Sequence, residues 1–400
     1  MPAHSATRTS HSAKDKKQLV LRWQQEHQIP GKVQALLTAS PDSSGDWCIR
    51  NVKHGKQFRL EILGPSDNLL VPDVVTTLFE YLIQEHQYYM RKAMTQLWIR
   101  AAAPGAWALL LHSQIRGAGT GHALKLLESH LRRNMPEVVA LHRVETRPWY
   151  PFRLDLPPVA MKYDLVPVFG PEFFPLGTTD HEFHILEWLP QLREPYLHLP
   201  ERLLAGIHPM PGDRLLDLYC GSAFLGCQLA SRFEEVYCVD PRGISKQSVL
   251  HNLQRRHLTN VHYMQKRVDA EFIANFVRRP GPWTVILNPQ AGEALPMGVI
   301  RNLSTESVGR VIHIGSDWAT LVGDIRKWRR AGMLLRKIVP LDLNPTSSRN
   351  LELALFFAPD REGVLRQGLP SPQPDDIEEE ALSSVPRFVQ KRTRPRTRKG

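Results

Sequence analysis

Residues 214–230, RLLDLYCGSAFLGCQLA, contain the pattern that decides the fold of the C-terminal half of the chain. A short apolar run ends at Asp217, a turn containing Gly221 follows, and helix-forming residues come next. A buried strand, a glycine turn and a helix in this order let a ligand approach the backbone at the carboxyl end of a strand. The stretch therefore predicts a nucleotide-binding strand–turn–helix unit.

A second acid follows at the distance that one strand–helix–strand crossover requires. The next strand, VYCVD, ends at Asp240, and an acid there typically accepts hydrogen bonds from two ribose hydroxyls. Ala223 stands where such loops usually carry another glycine, and NAD remains a rival ligand on this pattern alone. The wording DLYCG and the strands that follow favour S-adenosylmethionine.

Alternating strands and helices continue from this unit toward the C-terminus. Strands are predicted at 214–219, 235–239, 261–264, 284–288, 309–315, 335–341 and 351–358, the last one antiparallel at one edge of a parallel sheet. We predict an α/β fold, a Rossmann-like S-adenosylmethionine-dependent methyltransferase domain over residues 181–360, preceded by a smaller α+β domain.

The smaller domain is predicted over residues 19–180 and is a candidate for RNA binding. Its pattern reads as a hairpin at 47–63, a helix at 73–90, a hairpin around Pro104–Gly105, a helix at 122–133, a strand at 137–144 and strands near 159–169. Residues 1–18 are predicted to be a disordered tail, with a transit peptide as the weaker alternative. Residues 361–400 read as an acidic and then basic disordered tail.

The chain resembles the RNA (uracil-C5)-methyltransferases, which act on uridines of tRNA and rRNA, over most of residues 95–359. The segments that match that family's motifs, in chain order, are FFP at 173–175, DLYCG at 217–221, Asp240, NPQA at 288–291, SDWATL at 316–321 and NLE at 350–352. The family's TRAM domain and iron–sulfur cysteines are not recognisable, so no metal and no iron–sulfur cluster is expected.

The resemblance implies S-adenosylmethionine as cofactor and places two groups of site residues. The cofactor-binding positions are Asp217, Tyr219, Gly221, Asp240, Asp269 and Asn288, and the catalytic positions are Glu352, Ser316 and Asn288. Asp269, a candidate for contact with the adenine amino group, fits equally well as an acid at a helix N-terminus. In the family a cysteine thiolate adds to C6 of uracil, and a glutamate helps to remove the C5 proton. Ser316 stands at the cysteine position, and Glu352 at the glutamate position.

Several motif positions differ from the family together. Pro175 replaces a glutamine, Ala291 an arginine and Asn350 a histidine, and a serine hydroxyl needs a strong base to act as a nucleophile. Two interpretations follow: an RNA methyltransferase with altered chemistry, or an inactive RNA-binding or ribosome-assembly pseudoenzyme that has lost the cofactor or kept it. A third is that a nucleophile lies elsewhere in the chain.

The charge of the chain favours RNA, tRNA or rRNA, as partner. The net charge is +11, and residues 381–400 contain seven Lys and Arg and no acid, which suits phosphate contacts better than mere solubility. Basic and aromatic residues alternate at 88–92 and 147–153, which fits stacking on unpaired bases and, equally, aromatics packed in the domain with solvated arginines. Lys327, Arg329 and Arg330 flank Trp328 on a late helix, where a solvated helix end is expected first and an RNA contact second.

The cysteines, the apolar runs and one histidine-containing stretch indicate the cellular compartment and the absence of a zinc motif. The four cysteines form no CxxC pair, no apolar run could span a membrane, and residues 1–18 contain no apolar region typical of a secretory signal, so we expect a cytoplasmic protein. The HEFH stretch at 181–184 spaces its histidines by three rather than four residues and is expected to be a surface cluster, not a zinc motif. The oligomeric state is unknown.

Overall fold

A computed structural model describes residues 13–37, 45–54, 57–64, 71–84, 94–113, 118–145, 164–187, 189–190, 193–279, 281–289, 292–343 and 351–360. The helices in this part of the chain are α1 (Ala13–Glu26), α2 (Asp73–Ile83), α3 (Ala118–Asn134), α4 (Arg193–Leu197), α5 (Leu199–Ile207), α6 (Phe224–Leu229), α7 (Gly243–Arg255), α8 (Ala270–Val277), α9 (Met297–Leu303) and α10 (Trp318–Arg330).

The strands of the N-terminal half are β1 (Lys32–Val33), β2 (Trp47–His54), β3 (Gln57–Leu63), β4 (Met94–Ala103), β5 (Ala106–Ser113), β6 (Val138–Glu145), β7 (Asp164–Phe169), β8 (Phe173–Pro175) and β9 (Glu182–His184). Those of the C-terminal half are β10 (Arg214–Leu218), β11 (Glu235–Val239), β12 (Val261–Met264), β13 (Trp283–Leu287), β14 (Val308–Gly315), β15 (Met333–Leu341) and β16 (Glu352–Pro359). All seven C-terminal strands lie within two residues of their predicted bounds.

The C-terminal sheet has the order β1-β15-β16-β14-β13-β10-β11-β12 within the described ranges. Strands β10 to β14 pair in parallel with one another, and β16 runs antiparallel between β14 and β15. Apolar side chains fill both faces, Leu215 and Ile286 on one and Leu216 and Val285 on the other. Burial on both faces explains why these strands read as nearly continuous apolar runs in the sequence.

The N-terminal sheet has the order β3-β2-β4-β5-β6-β7, and its β5–β6 pair is parallel. Helices α2 and α3 cover one face, where Leu78 and Leu127 are buried against strand residues such as Leu97. Ala108 and Leu110 on the opposite face belong to a core shared with residues of the C-terminal half. The described residues through Pro359 form one compact unit, while the domain boundary at residues 180–181 stays a prediction.

Residues 13–37 pack on the C-terminal sheet, contrary to the prediction of a tail to residue 18 followed by the α+β domain. Helix α1 begins at Ala13, and Trp23 lies against Trp318 with ring centroids 5.5 Å apart. Strand β1 pairs in parallel with β15, and the buried Lys16 Nζ lies 2.6 Å from Asp342 Oδ2. The amphipathic helix buries its apolar side and is therefore ordered by tertiary packing rather than by local propensity.

Candidate functional site

The carboxyl ends of the central strands bring the predicted site residues to one edge of the C-terminal sheet. In the parallel pairs, Leu218 lies beside Val239 and Leu287. The residues that follow these strands therefore emerge at the same edge, which is where open α/β sheets bind ligands. On the other side, Gly315 pairs with Leu353 in the antiparallel β14–β16 register.

This register brings the two main catalytic candidates together. Ser316 follows Gly315 and Glu352 precedes Leu353, so the two residues lie one step beyond the last registered pair of adjacent strands. The indole Nε1 of Trp318 donates a hydrogen bond of 2.8 Å to the Leu351 carbonyl and ties the start of α10 to the start of β16. The predicted nucleophile position and the predicted base position are thus neighbours across two strands.

In the glycine turn after β10, every second residue from 219 to 223 has a left-handed backbone conformation. Tyr219, Gly221 and Ala223 have φ angles of 59°, 56° and 60°. Such a conformation costs a non-glycine residue about 1–2 kcal/mol, so the loop stores strain at Tyr219 and Ala223. Strain of this kind is characteristic of ligand-binding loops that the surrounding structure holds in place.

Close packing of α6 on the sheet explains why residue 226 is a glycine. A Cβ on Gly226 of α6 would overlap Cys238 Sγ of β11, so only glycine lets the helix lie this close to the sheet. The Gly226 N–H donates a hydrogen bond of 3.0 Å to Asp217 Oδ2. Asp217 is buried, and burial raises its pKa to about 7, with Asp240 adding to the rise and the Gly226 N–H opposing it. Asp217 thus links the end of β10 to the start of α6 and stabilises the glycine turn between them.

Asp240 is the acid that faces the glycine turn. The Gly221 N–H donates to its Oδ2 over 3.0 Å, and the carboxylate is fully buried. Arg242 binds the same carboxylate through its backbone N–H (2.8 Å) and through Nε (2.9 Å) and Nη2 (2.6 Å). Burial lowers the pKa of the Arg242 guanidinium, but the hydrogen bonds and charge of Asp240 outweigh this and raise it.

The loop fits an adenosyl group once Arg242 moves. A Cβ placed on Gly221 would have only Arg242 Nη2 within 4 Å, at 3.8 Å, so the space beside this backbone is otherwise open among the described residues. An open glycine backbone beside an acid is the donor and acceptor set that a ribose requires. Gly221 and Asp240 would hold the ribose of S-adenosylmethionine there.

The structure supports the other predicted cofactor-binding residues, Tyr219, Asn288 and Asp269, to different degrees. Tyr219 is half-buried, and its pKa is raised first by burial and then by Glu293. Asn288 is half-buried, and its backbone N–H donates to the Leu218 carbonyl over 3.1 Å. Asp269 is the N-cap of α8, where its Oδ1 accepts a hydrogen bond of 2.9 Å from the Phe272 N–H. The cap explains Asp269 without a ligand, and its adenine contact stays a prediction.

Ser316 lies in a small cleft at the start of α10. The lining residues are Pro289, Gly292, Glu293, His313, Gly315, Ser316, Asp317, Thr320 and Leu321. Asp317 caps α10 by accepting from the Ala319 N–H (3.2 Å) and from the Thr320 hydroxyl, which fixes the loop that carries Ser316. A serine in such a cleft is half-buried and accessible from one side only.

Glu352 is a half-buried acid with an altered titration. Burial raises its pKa to about 7 from the usual value of 4.5. A carboxylate of this kind accepts a proton more readily than an exposed one at neutral pH, as a general base requires. Glu352 therefore has the electrostatics that its predicted role needs.

Two residues of the site were not identified from the sequence. The pKa of the Tyr196 hydroxyl is raised well above its ordinary value, first by burial and then by the charges of Glu187, Asp217, Glu352 and Cys220. The Tyr196 ring in α4 packs on Phe224 at the start of α6, with ring centroids 4.7 Å apart. No local motif marks Tyr196, because only tertiary packing brings α4 to α6.

His313 is the second such residue. Its buried ring points Nε2 toward Asp324 Oδ2 at 3.9 Å, and Nδ1 has no hydrogen-bond partner among the described residues. Burial, and to a smaller extent the charge of Lys327, lower its pKa to about 3, so the imidazole is neutral. Nδ1 can therefore accept a hydrogen bond, although a pKa this low makes the imidazole a weak base.

The cysteines do not provide an alternative nucleophile. Cys48, Cys227 and Cys238 are buried, and Cys220 is partly buried. Burial raises the pKa of the Cys227 thiol to about 12, and that of Cys220 also rises well above its ordinary value. Since only the thiolate is a nucleophile, these thiols are unreactive at neutral pH.

Two expectations about the surface are wrong. His181 and His184 were expected in a surface cluster, but both are buried, and β8–β9 pairing places His184 against Phe173. Trp328 was expected among the basic residues of α10, but it is fully buried and stacks on Phe357 at 5.3 Å. In both cases the ring packs against an aromatic side chain, Phe173 for His184 and Phe357 for Trp328, and is buried there.

Several predicted features cannot be assessed in the structure. Gln290, Ala291, Asn350, the aromatic–basic stretches 88–92 and 147–153 and the basic stretch 381–400 lie outside the described residues. Pro175 is described and forms the end of β8 opposite Glu182. In the described ranges, no cluster of three or more His, Cys, Asp or Glu side chains is arranged to hold a metal ion. The helices described there include none long and apolar enough to cross a membrane.

Comparison with known proteins supports the resemblance that the motifs indicate. No protein-family model matches the chain. An uncharacterised RNA methyltransferase of Lactococcus lactis is 25% identical over 150 residues, 37% of this chain and 32% of that protein. The 23S rRNA (uracil(1939)-C(5))-methyltransferase RlmD of Vibrio cholerae is 26% identical over 159 residues, 40% of this chain and 36% of that protein. The match thus spans about a third of the length of these curated relatives.

The solved structures include one that superposes on most of the chain. The Pyrococcus abyssi tRNA (uracil-54, C5)-methyltransferase, crystallised with S-adenosyl-L-homocysteine, gives a TM-score of 0.62 at 14% identity and covers 86% of this chain and 82% of that one. The Rossmann-like fold of the S-adenosylmethionine-dependent methyltransferases is therefore confirmed. The resemblance to the RNA (uracil-C5)-methyltransferases is confirmed as well.

Proposed function

We propose that this chain is an S-adenosylmethionine-dependent RNA methyltransferase that acts at C5 of a uridine in tRNA or rRNA. The observation that supports it most is the placement of Ser316 and Glu352 on adjacent strand ends, at the edge that also carries the Gly221–Asp240 turn. The relatives named above act on uracil C5 of 23S rRNA and of tRNA, according to their names.

Gly221, Asp240, Tyr219 and Asn288 would hold the cofactor, which supplies an electrophilic methyl group when bound. The C5 carbon of uracil is a poor nucleophile until a group adds to C6. Ser316 is the residue placed to add its hydroxyl oxygen there, with the proton passing to a base.

His313 supplies the base in this proposal. The ring lines the cleft of Ser316, is neutral, and has Nδ1 free of any hydrogen bond in the described part of the chain. Its Nε2 lies 3.9 Å from Asp324 Oδ2, so the acid is close to the ring without a hydrogen bond to it. Nδ1 would take the hydroxyl proton of Ser316 on addition and return it when the Ser316–C6 bond breaks.

Glu352 completes the residue set. The C5 carbon must lose its proton before the adduct can break down, and a carboxylate with a pKa near 7 is matched to that transfer. Tyr196 lies among the same charged groups and would exclude water from them.

The second candidate is an inactive RNA-binding or ribosome-assembly protein. Ser316 in place of cysteine and Pro175 in place of glutamine favour it, because neither side chain can do the work of the residue it replaces without help. In that case RNA binding would be retained without methyl transfer.

One experiment separates the two candidates. The purified chain is incubated with total RNA and S-adenosylmethionine carrying a labelled methyl group, and the RNA is digested to nucleosides. We expect labelled 5-methyluridine with the parent protein and none with Glu352→Ala. RNA binding without any labelled nucleoside would contradict the enzymatic proposal and support the second candidate.

A further inference from the structure

The carboxylate of Asp240 has no hydrogen-bonding capacity left for a ligand. Its Oδ1 accepts from the Arg242 N–H (2.8 Å) and Nε (2.9 Å), and its Oδ2 accepts from the Gly221 N–H (3.0 Å) and Arg242 Nη2 (2.6 Å). A carboxylate offers about four lone-pair positions, and these four bonds use them all. Two ribose hydroxyls cannot be added while the Arg242 side chain stays where it is.

The Arg242 side chain occupies the place of those hydroxyls. The guanidinium is bidentate on a fully buried carboxylate and is itself 19% exposed, so it closes the turn on its solvent side. Arg242 Nη2 is also the atom that lies nearest the open side of Gly221, 3.8 Å from where a Cβ would be. The same guanidinium therefore covers both the acid and the glycine that would bind the ligand.

We propose that Arg242 is an internal competitor of the cofactor, which sets the affinity of the chain for adenosyl ligands by occupying the ribose-binding carboxylate. The inference rests on the proposed function, because it takes Asp240 to be the ribose acceptor. Binding requires two guanidinium hydrogen bonds to Asp240 to be exchanged for two hydroxyl hydrogen bonds. The backbone bonds from Gly221 and Arg242 can remain.

The exchange weakens binding because a bidentate ion pair is replaced by hydrogen bonds from uncharged hydroxyls. Both kinds of bond are charge-assisted by the carboxylate, but only the guanidinium adds an opposite charge and a fixed two-point geometry, so the ligand recovers only part of what is broken. Without the guanidinium, Asp240 would be a buried carboxylate short of donors in the free protein, and a bound ribose would relieve this. Loss of the arginine side chain should therefore destabilise the free protein and strengthen binding.

The test compares Arg242→Gln with the full-length parent chain by calorimetric titration with S-adenosyl-L-homocysteine. We expect Arg242→Gln to bind about tenfold more tightly or better and to melt at a lower temperature without ligand. Arg255→Gln is the matched control, since Arg255 lies on α7, pairs with Glu182 and does not touch Asp240. It should change neither affinity nor its salt dependence appreciably.

A second measurement guards against a variant that folds poorly. The Arg242–Asp240 pair is buried and is screened little by salt, so the ratio of the two affinities should stay nearly constant as ionic strength increases. Parent binding that is equal to or tighter than that of a folded Arg242→Gln would overturn the competitor proposal and leave the methyltransferase proposal intact. Absence of binding by both chains would instead count against the cofactor site itself.

Discussion

The backbone N–H of Gly221 donates a hydrogen bond of 3.0 Å to Oδ2 of Asp240, which joins the turn after β10 to the end of β11. The two residues lie nineteen positions apart in sequence and meet because their strands are adjacent and parallel. The bond also fixes the direction of the Gly221 backbone toward the open space beside it.

Substitution of Gly221 by alanine should reduce ligand affinity more than stability. Its φ of 56° is left-handed, so an alanine would cost about 1 kcal/mol of folding free energy, and its Cβ would enter the space beside Arg242. We expect an affinity loss of about tenfold or more for S-adenosyl-L-homocysteine, measured by calorimetry.

Gly105 provides the matched control for this backbone effect. Its φ is 72°, and nothing lies within 4 Å of where its Cβ would be. Gly105→Ala should lose a similar amount of stability, about 1 kcal/mol, and keep the parent affinity. Equal affinities for both alanine variants would show that the Gly221 turn does not touch the ligand.

Glu352 should make methyl transfer depend on pH near neutrality. Its pKa is raised to about 7, so the basic carboxylate form is populated only above that pH. We expect the single-turnover rate of RNA methylation to rise through about pH 7 and then level off, whereas Glu352→Gln stays inactive at every pH. A rate that is flat from pH 5.5 to 8.5 in the parent would exclude Glu352 as the base.

The same shift predicts an effect on stability of known sign. A carboxyl whose pKa is higher in the folded state favours folding below its unfolded pKa and loses that contribution as pH rises to the folded value. Glu352→Gln should therefore gain stability relative to the parent between about pH 4.5 and 7, by about 2–3 kcal/mol in total. Asp217 has a similarly raised pKa, but it is present in both proteins and cancels in the difference.

The sequence predicts the C-terminal sheet well because both of its faces are buried. Each of its strands is an apolar run bounded by polar turns, and the acids at their ends mark the edge where the site forms. The order of hairpins, helices and strands in the N-terminal sheet matches the prediction for the same reason of clear periodicity, but the helix predicted at 73–90 ends at Ile83, where the extended Gln84 follows. Strand β1 was not predicted, because a strand of two residues, Lys32 and Val33, is too short to show a periodic pattern.

The site was predicted in its chain order but not in its electrostatics. Asp240 and Glu352 could be identified from motifs, whereas Tyr196 comes from a helix with no motif and is recognised only by the charges around it. The Arg242 contact had a local signal that was not used. An acid two residues before an arginine can form a turn in which its side chain accepts the Arg242 N–H, and here it does.

Restoring a cysteine at position 316 should strengthen nucleophilic addition to C6. A thiol reaches its nucleophilic anion far more easily than a serine hydroxyl, and residue 316 is half-buried in a small cleft. Addition at C6 makes the C5 hydrogen exchangeable, so uridine in RNA should exchange it with deuterated water even without a methyl donor. We expect Ser316→Cys to exchange fastest, the parent slowly and Ser316→Ala not at all.

The exchange assay also tests which residue is the nucleophile. Mass spectrometry of the RNA nucleosides gives the deuterium content at C5, and His313→Asn should slow the parent without slowing Ser316→Cys to the same extent. Equal exchange by the parent and Ser316→Ala would show that the hydroxyl does not add to C6.

A buried charge cluster joins the N-terminal sheet to the residues that precede β10, and its loss should destabilise the whole unit. Asp46 lies 2.9 Å from Arg100 Nη2 and also pairs with Arg193, and the two guanidinium groups lie over Phe183 at 5.0 Å and 4.9 Å. Asp46→Ala would leave two buried cations without their anion, which should cost about 3–5 kcal/mol of unfolding free energy. Glu61→Ala is the matched control, because Glu61 pairs with Arg50 over 3.0 Å at the surface, where such pairs contribute at most about 1 kcal/mol. Urea denaturation of both variants measures the two losses. A loss below 1 kcal/mol for Asp46→Ala would mean that Arg100 and Arg193 are stable without the Asp46 carboxylate, because they keep enough backbone acceptors, such as the Glu187 carbonyl at 2.8 Å.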